Sequence, residues 1–92
     1  MKTVRLSITG RVQGVSYRAW TLRAAREKGL KGWVRNRLDG SVEALLSGPP
    51  DQVDALVAQC HKGPPAARVD GVAVFEAGGE SVPDDFTQAP TV

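Results

Sequence analysis

Two pairs of prolines bracket one helical segment in this chain of 92 residues and set the length of that segment. The apolar residues between them recur at i, i+3, i+4 and i+7, which is the spacing of one helix face: Val53, Leu56, Val57 and Cys60. Pro49-Pro50 precedes the segment, Gly63 ends it, and Pro64-Pro65 prevents the helix from continuing. A helix this short is stabilised by burying its apolar face, so we expect a sheet beneath it. The length suits one domain, which we expect to span residues 1–92.

Stretches typical of β-strands lie on both sides of this helix. Asp39-Gly40 joins two such stretches, near Leu30–Leu38 and Ser41–Ser47, and Asp-Gly between β-rich runs predicts a hairpin. After the helix, residues Arg68–Glu76 predict another strand, in which Gly71 marks a bulge because the apolar alternation changes parity there.

The first part of the chain adds one strand and one helix. Val4, Leu6 and Ile8 alternate with polar residues, which indicates a strand with one buried face. Good helix formers follow from Tyr17 to Lys28, and the glycine after them is a C-terminal stop. The order β-α-β-β-α-β predicts an α+β fold, the ferredoxin-like sandwich, with an antiparallel sheet and two helices on one face. A fifth short strand near Phe86 is left open.

The composition excludes several kinds of site. There is one cysteine, Cys60, and one histidine, His61, which excludes an internal disulfide and the usual zinc sites. These two neighbours point in different directions on a helix, so we interpret Cys60 as a core residue and His61 as a helix end. No apolar run approaches the length of a membrane span, and the N-terminus alternates charged and apolar residues. We therefore expect a cytoplasmic protein without membrane contact.

Charge is divided unequally along the chain. Residues 1–40 carry ten Lys or Arg and two acidic residues, whereas residues 41–92 carry two Lys or Arg and eight acidic residues. A basic half of this kind is either a solvated surface or the surroundings of an anion-binding site.

The segment Gly10–Arg18, "GRVQGVSYR", connects the first strand to the first helix. Free backbone N–H groups at a helix N-terminus bind anions. Gly14 has no side chain and would permit close approach of a ligand. The planar guanidinium of Arg18 supplies several N–H donors that suit the oxygens of an anion. The alternative is an ordinary flexible loop followed by a surface cation. The segment is not the phosphate loop of nucleotide triphosphatases, because no Lys-Ser or Lys-Thr follows its last glycine.

Asn36 is predicted to lie close to this turn. In the expected topology the first and second strands are parallel, so their carboxyl ends lie on the same rim of the sheet. Asn36 comes near the end of the second strand and shares parity with Val34 and Leu38, which places it on the helix side. The alternative is that Asn36 is simply a turn residue before Asp-Gly.

The blocks "GRVQGVSYR" and "GWVRNRLDGSVE" together resemble the two signature blocks of the acylphosphatase family, and the resemblance covers nearly the whole chain. It implies metal-independent hydrolysis of acyl phosphates to a carboxylate and inorganic phosphate, with no cofactor. Arg18 would bind the phosphate and Asn36 would orient the attacking water. The backbone of six residues would form the phosphate cradle: Gln13, Gly14, Val15, Ser16, Tyr17 and Arg18. Inorganic phosphate, a product that fits the same cradle, is expected to inhibit competitively, and nothing in the sequence demands more than a monomer.

The resemblance weakens at the C-terminus. Members of the family usually end in a short strand of pattern Phe-x-Ile/Val, whereas this chain reads Phe86-Thr87-Gln88-Ala89-Pro90. Pro90 stops a strand and leaves the last one in doubt.

Two other functions stay open at this point. One is a ferredoxin-like module that binds RNA or another anion without turnover, although the chain is only 5% aromatic. The other is a standalone copy of the acylphosphatase-like domain of hydrogenase-maturation carbamoyltransferases.

Overall fold

The computed structural model describes all residues from 1 to 92. Five strands and two helices follow one another along the chain: β1 Lys2–Arg11, α1 Tyr17–Glu27, β2 Lys31–Asn36, β3 Val42–Gly48, α2 Pro50–Cys60, β4 Arg68–Glu76 and β5 Phe86–Gln88. The first six elements confirm the β-α-β-β-α-β order and the ferredoxin-like α+β fold. Neither helix has the length and apolar character needed to cross a membrane.

The strands form one sheet in the order β4-β1-β3-β2-β5. Strand β3 pairs antiparallel with both β1 and β2, so β1 and β2 run parallel to each other with β3 between them. Strand β5, whose formation was in doubt, pairs parallel with the outer edge of β2. The four predicted strands pair antiparallel, as expected, and the parallel β5 at the edge makes the five-stranded sheet mixed.

Tertiary contacts explain why β5 forms despite its poor strand residues. Phe86 is fully buried in the core. Arg26 of α1 donates from Nη2 and Nε to the Phe86 carbonyl oxygen, at 2.9 and 3.2 Å. The Phe86 N–H donates to Asp85 Oδ1 at 2.8 Å. A helix side chain and a buried ring thus hold a strand that its own residues favour weakly.

Two predicted strand details need adjustment. Strand β2 ends at Asn36, two residues before the predicted end, and the Leu38 side chain lies in the turn with 88% of its surface exposed. In β4, Thr9 of β1 pairs with Gly71 and Gly10 pairs with Val69, so the register shifts there. Asp70 is the extra residue, which places the bulge one residue before the predicted position.

The core lies between the sheet and the two helices. Its strand residues have the same parity on each strand, as one-sided burial requires: Val4, Leu6, Ile8, Val34, Val42, Ala44 and Leu46. Helix α1 packs on β2 and β5, and α2 packs on β1 and β3. The N-terminus of α1 consequently faces the carboxyl end of β2, where Asn36 lies.

Candidate active site

The loop between β1 and α1 leaves a run of backbone N–H groups without partners. Gly14 has φ +74° and Ser16 has φ +65°, both in the left-handed region, and Ser16 does not cap the helix with its side chain. No backbone N–H from Gln13 to Ala19 donates to an acceptor in the protein, and the first that does is that of Trp20, to Ser16 O at 3.0 Å. Successive free N–H groups at a helix N-terminus form an anion-binding concavity.

A cavity of about 350 Å³ opens beside this loop. It is lined by residues of the loop, of the start of α1, of β2 and of β5: Val12, Gly14, Ser16, Tyr17, Arg18, Ala19, Asn36 and Gln88. None of these residues is acidic, so nothing in the lining repels an anion. The size suits a small molecule.

Arg18 and Asn36 are the two half-buried polar side chains of the cavity. Neither makes a hydrogen bond or an ion pair within the protein. The guanidinium of Arg18 is therefore not neutralised, and the Asn36 amide has its donors and acceptor free. The structure brings together the two side chains that the sequence predicted to be neighbours.

Gln13 holds the loop in place rather than lining the cavity. Its Nε2 donates to the carbonyl oxygens of Arg37 and Ser41, both at 2.8 Å. These two residues flank the turn between β2 and β3, so the bonds tie the loop to the turn that directly follows Asn36. Val15 is also absent from the lining, because its side chain is buried in the core. The other predicted cradle residues, Gly14, Ser16, Tyr17 and Arg18, do line the cavity.

Tyr17 anchors the start of α1 to the end of α2. Its ring is buried and its hydroxyl donates to the Cys60 carbonyl oxygen at 2.6 Å. Burial raises the pKa of Tyr17 far above its usual value, and burial also raises the pKa of the Cys60 thiol to about 11. Cys60 is consequently a neutral core thiol at physiological pH, as the sequence indicated, and not a nucleophile.

Sequence reasoning missed three lining residues, which are Val12, Ala19 and Gln88. Val12 and Ala19 directly flank the predicted cradle, so extending it by one residue on each side would have included them. Gln88 is separated from the loop by some seventy residues, and its place depends on the formation of β5. The parity that it shares with Phe86 was the one available signal.

Comparisons with known proteins identify the family. The Acylphosphatase family model matches residues 4–88. An acylphosphatase of Rhizorhabdus wittichii is 53% identical over 96% of this chain and 88% of its own, and one of Rhodospirillum rubrum is 49% identical over the full length of both. The crystal structure of acylphosphatase from Bacillus subtilis has a TM-score of 0.92 and 34% identity, covering 97% of this chain and 99% of its own. Sequence and fold agree over the whole domain, and the chain belongs to the acylphosphatase family.

Proposed function

We propose that this acylphosphatase hydrolyses acyl phosphates in the cavity beside the β1–α1 loop, with Arg18 binding the phosphoryl group and Asn36 the attacking water. One observation supports this most directly. Two polar side chains without internal partners share an acid-free cavity with a run of free backbone N–H groups.

The phosphoryl group fits the N–H groups of residues 13–19 together with the guanidinium of Arg18. Backbone donors and the helix dipole stabilise its negative oxygens, and Arg18 offers two parallel N–H groups to them. An arginine in the first turn of a helix is unfavourable on dipole grounds alone. A bound anion reverses that cost, because it lies between the helix end and the guanidinium.

The leaving group explains why so few reagents are needed. An acyl phosphate is a mixed anhydride, and its departing carboxylate has a conjugate acid of pKa ~4. It therefore leaves without protonation, and the cavity contains neither a carboxylic acid nor a histidine to protonate it. Positioning and charge stabilisation are what remain for the protein to supply.

Asn36 supplies the position of the nucleophile. Its amide oxygen accepts a hydrogen bond from a water and aims that water's oxygen at phosphorus. A bond forms between the water oxygen and phosphorus while the bond from phosphorus to the acyl oxygen breaks, and the carboxylate departs with the bonding electrons. An amide is too weak a base to take the proton, so a phosphoryl oxygen accepts it.

Mutation of the two side chains tests this proposal. Removing one preorganised donor at a developing charge lowers the rate about 10²- to 10³-fold, so Arg18→Gln and Asn36→Ala are expected to lose at least that much benzoyl phosphate hydrolysis. Arg18→Lys is expected to fail as well, because a point charge does not replace the fork. Arg23→Gln, on the exposed side of the same helix, is the matched control. Rates near wild type in Arg18→Gln or Asn36→Ala, with native circular dichroism, would refute the assignment.

The same proposal extends to the product and to the state of the protein. Inorganic phosphate fits the cradle and is expected to inhibit competitively. The family match over residues 4–88 supports a single domain over residues 1–92, which we propose acts as a monomer. We also propose a cytoplasmic location. Light scattering after gel filtration tests the monomer, and cell fractionation tests the location.

A further inference from the structure

Gln88 places a second amide in the wall of the cavity. It pairs with Val34 of β2, and Phe86, two residues earlier, pairs with Gly32. Side chains two residues apart on a strand point to the same face. Since Phe86 is buried beneath the helices, Gln88 faces the helix side too, where it lines the cavity with Arg18 and Asn36.

The backbone at Gln88 is held firmly while its side chain is free. The N–H of the next residue, Ala89, donates to Val34 O at 2.9 Å, and the N–H of Val92 donates to Asn36 O at 3.2 Å. The Gln88 side chain is exposed and makes no hydrogen bond within the protein. The backbone is thus fixed at the cavity, while the donors and the acceptor of the Gln88 amide have no partner within the protein.

The location of Gln88 separates it from the phosphate cradle. In the parallel register it lies one strand across from β2 and two residues short of Asn36, which puts the two Cα atoms roughly 8 Å apart. Strand β5 is the edge of the sheet, so Gln88 stands at the open side of the cavity. The acyl half of a substrate must extend from the cradle towards solvent. Gln88 is the one polar lining residue outside both the cradle and the position of Asn36.

We propose that Gln88 binds the acyl half of the substrate, its Nε2–H donating to the acyl carbonyl oxygen. This rests on the proposed function, because it assumes that the phosphoryl group occupies the cradle. As the bond between phosphorus and the acyl oxygen breaks, the carbonyl oxygen takes up part of the carboxylate charge, and the hydrogen bond strengthens.

Two non-hydrolysable phosphonates isolate the contact. Acetonylphosphonate carries a carbonyl group, and propylphosphonate has a methylene group in its place. The wild type is expected to bind the carbonyl compound about three- to tenfold more tightly, the range for one net hydrogen bond. In Gln88→Leu this preference is expected to disappear, with kcat/KM for benzoyl phosphate about tenfold lower and inhibition by inorganic phosphate unchanged.

Two further variants separate the contact from a structural role. Gln88→Met keeps the length of the side chain and its neutrality but lacks the donor, so it too is expected to lose the preference for the carbonyl. Thr87→Val alters the neighbouring residue on the opposite face of β5 and is expected to keep it. A preference retained in both Gln88 variants overturns the inference, as does equal weakening of phosphate and both phosphonates. A wild type that does not turn over benzoyl phosphate refutes the proposed function instead.

Discussion

At the scale of single residues, Tyr17 joins the cradle to the core. It is the first residue of α1, it lines the cavity, and its hydroxyl reaches the last residue of α2. The Cys60 carbonyl is one of the helix-terminal acceptors that lack an intrahelical partner, so Tyr17 satisfies a group that would otherwise be buried and unpaired. The neighbouring turn fits closely around the ring, because a Cβ at Gly63 would lie 2.7 Å from Tyr17 Cε2. Arg18 is the next residue in the sequence, so its backbone lies directly beside this anchor.

Tyr17→Phe is expected to lower the free energy of unfolding by about 1–3 kcal/mol, because the Cys60 carbonyl loses its donor in a buried place. Urea unfolding measures the change. Trp20→Phe, which alters the partly buried ring 5.4 Å from Tyr17, is the control and retains the hydrogen bond. Equal stability of Tyr17→Phe and wild type would show that water replaces the hydroxyl.

At the scale of elements, the edge strand β5 depends on α1. Arg26 binds the Phe86 carbonyl through two nitrogens and also reaches Asp85 Oδ2 at 3.3 Å. Asp85 in turn accepts the Gly32 N–H through its carbonyl oxygen at 3.2 Å, so the start of β5 is tied to both α1 and β2. The wall of the cavity at Gln88 therefore relies on a side chain far from the cavity itself.

Arg26→Gln is expected to loosen β5 without unfolding the domain. The guanidinium is partly exposed, so we expect a loss of about 1 kcal/mol locally. This corresponds to roughly fivefold faster amide hydrogen exchange at Ala89, whose N–H bonds to β2. Amide hydrogen exchange measured by NMR checks this rate, and Arg23→Gln on the same helix serves as the control. Unchanged exchange at Ala89 would mean that Phe86 alone holds the strand.

At the scale of the whole molecule, the charge asymmetry of the sequence is compensated in space. Three arginines from the basic half converge on Glu43 of β3, with N–O distances of 3.4 Å for Arg5, 2.6 Å for Arg35 and 3.2 Å for Arg37. The Glu43 side chain is only 8% exposed. Burial alone would raise its pKa, but the hydrogen bonds and charges of Arg35 and Arg37 outweigh burial and lower the pKa of Glu43 below 4.5.

This cluster predicts how stability depends on pH. A carboxylate whose pKa is lowered by folding stabilises the protein above its unfolded pKa, and that contribution is lost as pH falls through the folded pKa. At pH 7 the free energy of unfolding of Glu43→Gln is therefore expected to be about 2 kcal/mol lower than that of wild type, because three guanidinium groups lose their charged partner. The difference from wild type is expected to shrink as pH falls below 4.5. Thermal unfolding between pH 3 and 7 checks this, and a difference that does not change with pH would contradict it.

Sequence patterns alone predicted the order of the first six elements and the rim of the sheet on which the candidate site lies. Those features follow from short-range patterns: the alternation around Leu6, the Asp39-Gly40 turn, and the helix between two proline pairs. Asn36 and the loop were predicted to be neighbours because the handedness and order of a split βαβ unit leave few arrangements. The topology left the alternative interpretations of both residues open, and the resemblance to the acylphosphatase signature blocks then singled out Arg18 and Asn36.

The remaining features depend on contacts between distant parts of the chain, which short-range patterns do not specify. Strand β5 forms because Arg26 and the core hold Phe86, although Thr87 and Gln88 favour a strand weakly. The Gln13 side chain holds the loop against the β2–β3 turn through hydrogen bonds to two backbone carbonyls. No sequence pattern predicts these bonds, because any residue provides a backbone carbonyl. Gln88 lines the cavity because of the register in which β5 pairs with β2, and the strand propensity of individual residues does not specify that register. Local periodicity specifies elements, whereas long-range packing specifies which side chains complete the site.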